Sequence, residues 1–280
     1  MKHFLTISTM ALLVYCIAIP VQGANPAFDS AADVVYNDGW QTSDNGGFGF
    51  GPWTLSLNYP GDFGVHGHFV GNSTNNGDGD TNNDGDIDIN PTAALRSWGM
   101  YSNAGQPFAT AKAHRPFTGT LNVGQTVRVA IDNGYVESNP TGQVSFTLDN
   151  TAGQDVFRFG FAGGQTNYLV SGVNIVGSTP GFTDEGLIVD FTLTDPDSYS
   201  LSIDSLATGV GVDNVVTGDM PPTALLGIGR VTLESYQAGV GSSFDAYFNS
   251  IQISGIPEPT ALTLLTVTSL LLVSTRGLRN

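Results

Sequence analysis

Between Asp78 and Asp88 the chain reads Asp78-Gly79-Asp80-Thr81-Asn82-Asn83-Asp84-Gly85-Asp86-Ile87-Asp88, with oxygen-bearing side chains at alternate positions and glycine breaking the run. Carboxylate and amide oxygens are hard ligands of the kind Ca²⁺ requires. Asp80, Asn82, Asp84, Asp86 and Asp88 are therefore the candidate metal ligands, and calcium is the candidate ion. The competing reading is a solvated polar loop from Gly71 to Asn90 that joins two parts of a larger body.

Other chemistries have less to work with. Between Ala24 and Ile256 the only glutamates are Glu137, Glu185 and Glu234, too widely spaced for a local Glu-x-Asp-x-x-Glu cluster that sets two carboxylates across a glycosidic bond. The chain has no Gly-x-Ser-x-Gly nucleophile elbow and no His-Glu-x-x-His zinc signature. His66 and His68 share a face if residues 65–70 form a strand, which supplies two metal ligands without a third nearby. Hydrogen-bonded or solvent-facing imidazoles are the simpler expectation. Trp40, Trp53, Tyr59 and Tyr101 offer ring faces that stack on sugars where exposed and fill a core where buried. A non-catalytic protein is expected, with a polysaccharide-active enzyme, built on aspartates that folding brings together, as the alternative.

The elements that must position these residues are strands. With 36 glycines and 14 prolines punctuating short alternating runs, no long stretch of the body carries a helical stripe. Strands are expected at Thr126–Asp132, Gln143–Leu148, Val156–Phe161, Asn167–Ser171, Leu187–Leu193, Ser198–Ile203, Gly229–Tyr236 and Phe244–Ile253. In Val144-Ser145-Phe146-Thr147-Leu148 the apolar residues fall on one face and the hydroxyls on the other, the pattern of a half-buried antiparallel strand. Asp132-Asn133-Gly134, Gly163-Gly164 and Asp195-Pro196-Asp197 read as turns between them. The fold expected is all-β, an antiparallel two-sheet jelly-roll sandwich resembling the concanavalin-like lectin and glucanase architecture. An immunoglobulin-like sandwich is the alternative.

Both ends read as targeting segments. Lys2 and His3 precede the apolar stretch Phe4 to Pro20, and Val21-Gln22-Gly23 ends in small residues suited to signal peptidase, giving a signal peptide over 1–23. Cys16, the one cysteine, lies inside it, so the exported body has no disulfide available. At the other end Pro257-Glu258-Pro259 is followed by the apolar run Thr260 to Thr275 and then by Arg276 and Arg279. The prolines hold the triplet extended and outside any following helix. A helix over 260–275 spans about 24 Å, short of the hydrocarbon core of a bilayer, and the arginines hold its end on the cytoplasmic side.

Residues 24–256 remain as the secreted domain. They keep six of the nine basic residues and twenty-four of the twenty-five acidic ones, a net charge of −18. Nucleic acid is not an expected partner of such a surface.

Three resemblances follow from these residues. Counted from Asp80, the acidic segment resembles an EF-hand or dockerin loop: Asp80, Asn82 and Asp84 take the first three ligand positions, Gly85 the bend and Asp86 a carbonyl ligand, while Pro91 stands where a bidentate acid belongs. Ile256-Pro257-Glu258-Pro259 with its short apolar span and terminal arginines resembles the PEP-CTERM sorting signal, a tail also labelled ice-binding protein C-terminal. That resemblance implies insertion in the inner membrane at about 260–275 and recognition by exosortase. Release to the cell surface or an extracellular polysaccharide matrix would follow, in a structural or adhesive role. A carbohydrate-binding module of that matrix is the alternative, and no regular threonine array supports ice binding. Finally, Ser97-Trp98-Gly99-Met100-Tyr101-Ser102-Asn103, Arg115 to Leu121, Val123-Gly124-Gln125 and Asp132-Asn133-Gly134 resemble a block of other PEP-CTERM-tailed secreted proteins, with Trp98 and Phe117 as core aromatics and Gly124 and Gly134 as turn residues.

Overall fold

The structure, a computed structural model, describes residues 25–58, 65–76, 89–90, 95–105, 108–139, 141–208 and 211–255. The signal peptide, Tyr59, Asp80, Asn82, Asp84, Asp86, Asp88, Pro257, Glu258, Pro259, Arg276, Arg279 and the apolar span 260–275 lie outside the described residues. No helix among those described is long and apolar enough to cross a membrane.

Two antiparallel sheets make up the fold. The larger holds β1 (Ala27–Asp29), β3 (His66–Gly71), β4 (Ser97–Ser102), β6 (Thr126–Asn133), β10 (Val173–Val176), β11 (Leu187–Asp195), β12 (Ser198–Ser205), β13 (Val212–Asp219) and β15 (Ala246–Ser254). The smaller holds β2 (Thr54–Asn58), β5 (Thr110–Pro116), β7 (Gln143–Asn150), β8 (Asp155–Ala162), β9 (Leu169–Val170) and β14 (Ile228–Tyr236). The larger sheet runs β10-β13-β12-β11-β6-β15-β4-β3 with β1 paired to β15, and the smaller runs β2-β5-β14-β7-β8-β9. The all-β two-sheet sandwich expected from the sequence is thus the architecture observed. Nine strands facing six exceed the roughly seven to nine in total of the immunoglobulin-like alternative.

Period-two alternation places the core. Val127, Val129 and Ile131 of β6, Leu187, Val189 and Phe191 of β11, and Leu201 and Ile203 of β12 are fully buried from the larger sheet. Ala111 and Ala113 of β5, Val144, Phe146 and Leu148 of β7, and Val231 and Leu233 of β14 meet them from the smaller. Across the gap Phe157 packs 4.7 Å from Phe191 and 5.0 Å from Tyr199, ring centre to ring centre. Trp98 and Phe117 are core aromatics as expected. Gly124 has φ 88°, and the Pro196–Asp197 loop closes a hairpin in which Asp195 faces Ser198.

Two local expectations need correction. The hydroxyl face of β7 is not solvated, because Ser145 and Thr147 are as buried as the apolar residues between them. Arg158 covers Ser145, donating to its Oγ at 2.9 Å, and Thr147 donates to Asp149 Oδ1 at 2.8 Å. Asp132-Asn133-Gly134 is not a hairpin turn. Asp132 and Asn133 are the buried end of β6, and Asn133 Oδ1 accepts from the Tyr168 hydroxyl at 2.9 Å.

Candidate functional site

The functional candidates from the sequence divide sharply on folding. Trp40 and Trp53 go to the core and offer no ring face to a sugar. They pack edge to face at 5.0 Å beside Trp98 and Tyr36, and the Trp53 indole donates to the Tyr36 hydroxyl at 3.0 Å. Tyr101 is half-buried beside Phe69 on the outer side of the larger sheet. His66 and His68 do share a face of β3, and it is the inner one. His68 Nε2 lies 3.0 Å from the Lys112 carbonyl and its ring meets Trp40 edge to face. Burial outweighs that hydrogen bond and pushes its pKa down to about 4, so the imidazole is a neutral packing element. No group of three or more metal-ligating side chains assembles among the described residues.

The calcium candidates are outside the described residues, but the two ends of their loop are within them. Asn90 Nδ2 donates to Asn72 Oδ1 at 2.7 Å, and Asn90 Oδ1 accepts from Ser97 Oγ at 2.9 Å. Ile89 packs with Ala130 and Tyr247 on the outer side of the larger sheet. The base of the loop is therefore closed by side chains and anchored on a sheet.

The three glutamates do not meet. Glu137 caps a turn through Ser138 and Asn139, Glu185 is buried ahead of β11, and Glu234 lies on β14. What folding does assemble is a charged network on the outer face of the smaller sheet, where the alternate residues of β5, β14, β7 and β8 converge. Glu234 Oε1 accepts from Lys112 Nζ at 3.0 Å, and its Oε2 from Arg158 Nη1 at 2.8 Å. Arg158 also reaches Asp155 Oδ2 at 2.6 Å. Beside Thr232, two residues along β14 from Glu234, Asp149 Oδ2 of β7 accepts from Arg230 Nε at 2.5 Å and from the Thr232 hydroxyl at 2.7 Å. Thr232 in turn lies 2.8 Å from His114 Nδ1.

The electrostatics of this face follow from those contacts. Burial alone would raise the pKa of Asp149, yet the hydrogen bonds from Thr232, Arg230 and Thr147 hold it below the usual carboxylate range. Burial likewise opposes ionisation of Glu234, and Arg158 with Lys112 outweighs it. His114 is pushed down by burial and then by Arg230, which keeps it neutral at pH 7. Both carboxylates are thus ionised, and neither holds a transferable proton at neutral pH. A glycosidase needs one carboxyl with a raised pKa as its acid.

A hollow of about 230 Å³ opens on this face, lined by Ser56, Leu57, Asn58, Phe108, Thr110, Lys112, Glu234 and Tyr236. Sequence reasoning missed it because its walls come from separate segments. The signal present in the sequence was the alternation of polar residues in β5 and β14. Another hollow, of about 440 Å³, is lined in part by Asp184, Glu185, Asp213 and Asn214. Asp213 there is engaged by the Ser205 amide and the Thr208 hydroxyl at 2.8 and 3.0 Å.

The class defined by this fold is a two-sheet antiparallel β-sandwich. No protein-family model matches the chain, and no curated protein sequence is similar to it. Solved structures that overlap it include the catalytic domain of the glycoside hydrolase family 131 protein from Coprinopsis cinerea, with 12% identity and TM-score 0.47 over 81% of this chain and 95% of that one. The globular domain of T. cruzi calreticulin overlaps with 11% identity and TM-score 0.43, over 78% and 89%. Lectin I-B4 from Griffonia simplicifolia overlaps with 11% identity and TM-score 0.37, over 72% and 98%. Overlaps this loose say nothing of what the chain binds.

Proposed function

We propose that this chain is an exported, non-catalytic β-sandwich that exosortase sorts to the cell surface or extracellular polysaccharide matrix, where it has a structural or adhesive role. Signal peptidase and exosortase are its processing partners. The observation that carries the reading is the closure of the fold on its own ends. β15 finishes at Ser254, just ahead of Pro257, and β1 pairs with it so that Ala27 stands opposite Ile253. Both flanking segments therefore leave from one corner of one sheet, and cutting either away leaves every described strand in place. Ionised, arginine-clamped Asp149 and Glu234 support the non-catalytic part.

Intact mass spectrometry of the protein from membrane, outer-surface and medium fractions tests this reading. A species ending near Pro257-Glu258-Pro259 is expected in the surface or medium fraction, and Glu258→Ala is expected to leave an uncleaved, membrane-retained form. A released protein that keeps Arg276 and Arg279, or normal release of Glu258→Ala, would overturn it. The second reading, a carbohydrate-binding module of the matrix, is favoured by the hollow between Phe108 and Glu234.

A further inference from the structure

On the outer face of the smaller sheet Phe108 is held in a conformation that its packing does not reward. Its φ is 68° and its side chain is 63% exposed. A bulky residue at positive φ is a conformational outlier, and such strain persists where the surroundings enforce it. Here the Thr110 hydroxyl donates to the Phe108 carbonyl at 3.0 Å at the start of β5. The result is an aromatic ring at the rim of the hollow whose other walls include Ser56, Asn58, Lys112, Glu234 and Tyr236.

Those walls are an ordered set of hydrogen-bonding groups. Glu234 is fixed from both sides by Lys112 and Arg158, and the Tyr236 hydroxyl accepts from Gln237 Nε2 at 2.6 Å, leaving its own proton to give. Lys112 remains 39% exposed, so its ammonium can donate outward while paired. At about 230 Å³ the hollow is smaller than the roughly 300–1,000 Å³ of sites for drug-sized ligands, which suits a single ring at a time.

Charge selects the ligand further. The secreted domain carries −18, which repels anionic polymers in general. This face, by contrast, sets three of the domain's six cations, Lys112, Arg158 and Arg230, against the carboxylates of Glu234, Asp155 and Asp149. It is locally balanced, rich in donors and acceptors, and edged by an aromatic ring.

We propose that this hollow binds one ring of a neutral glycan, with Phe108 as the stacking platform and Lys112, Glu234, Asn58 and Tyr236 as its hydrogen-bonding partners. Stacking on an exposed aromatic face adds apolar contact to those hydrogen bonds. The inference rests on the matrix destination proposed above and names the chemistry that would hold the protein there.

Affinity electrophoresis of the protein, purified as its own cells leave it, tests the proposal in gels containing laminarin, mannan, hydroxyethyl cellulose or alginate. The expected result is retardation by at least one of the three neutral polysaccharides, weakened about tenfold or more by Phe108→Ala and by Phe108→Gly. Glycine accepts the backbone conformation without strain, so Phe108→Gly should lose binding while its Tm is unchanged or raised. Tyr135→Ala, which removes an exposed ring elsewhere, should bind as the original chain does. Retardation by no neutral polysaccharide, stronger retardation by alginate than by any of them, or undiminished retardation of both Phe108 variants overturns it. A protein that binds laminarin yet retains Arg276 and Arg279 would defeat the sorting reading and leave this one standing.

Discussion

Arg115 Nη2 lies 2.8 Å from Asp29 Oδ2, and neither side chain is exposed. Asp29 belongs to β1 of the larger sheet and Arg115 to β5 of the smaller, so the pair bolts the two sheets together at the corner where the domain begins. The Tyr36 hydroxyl donates to the same carboxylate oxygen at 2.6 Å, and Arg115 reaches the carbonyls of Asp44 and Gly46 at 3.0 and 2.8 Å. Its guanidinium also lies over the rings of Phe50 and Trp53. Burial still dominates, and despite Arg115 the pKa of Asp29 is raised to about 6.

Removing one partner of such a pair strands a charge in the core. Arg115→Ala is expected to cost about 3–5 kcal/mol, whereas the double change Arg115→Met with Asp29→Leu recovers most of it. Urea unfolding of the three proteins checks this. Equal stability of Arg115→Ala and the original chain would show that the pair does not join the sheets.

Burial also wins at Asp245, where it raises the carboxyl pKa to about 7. The folded state then keeps a proton that the unfolded state gives up near pH 4. The stability this group contributes is full below about pH 4 and lost as pH rises through about 7. Asp245→Asn removes the cost of ionisation and is expected to raise Tm at pH 8 with no gain at pH 4. Thermal melts across that range decide it, and a gain that does not vary with pH would refute the assignment.

Much of this fold was legible because its strands are patterned at period two. β6, β7, β8, β11, β12, β14 and β15 lie where alternating runs predict them, within a few residues. β13 was not read, since Val212-Asp213-Asn214-Val215-Val216 gives neither face a consistent polarity and only Val216 of its valines is buried. The site was harder to read because it is made by register. Glu234 stands beside Lys112 and Ser145 only through the pairing of β14 with β5 and β7, a long-range relation that no local spacing records. The tryptophans stayed open between sugar platform and core for a related reason, because composition cannot say which face of a strand turns inward, and the structure settles Trp40 and Trp53 as core.

The network on β14 yields a prediction about catalysis. With Asp149 and Glu234 both held ionised, this face is expected to release no reducing sugar from laminarin, mannan or hydroxyethyl cellulose at neutral pH. Reducing-end assays with the original chain and Glu234→Gln check it. Turnover that Glu234→Gln abolishes would make the face an active site and replace the non-catalytic reading.

The acidic loop gives the last prediction. Its base is closed by the Asn72–Asn90 hydrogen bond and pinned by Ile89 against Ala130 and Tyr247, so any ion held by Asp80, Asn82, Asp84, Asp86 and Asp88 would sit in a segment whose two ends are already joined to the larger sheet. Less chain entropy is then lost on binding than in a free peptide, and the binding energy is coupled to the larger sheet. Millimolar Ca²⁺ is expected to raise Tm relative to chelator, and Asp80→Ala with Asp84→Ala should abolish the rise while leaving the chelated Tm unchanged. Ligand linkage fixes the scale: at a hundred times the dissociation constant the gain is about 2.7 kcal/mol. Identical melts in calcium and chelator would instead leave the loop as a solvated connection, its aspartates serving only the acidity of the surface.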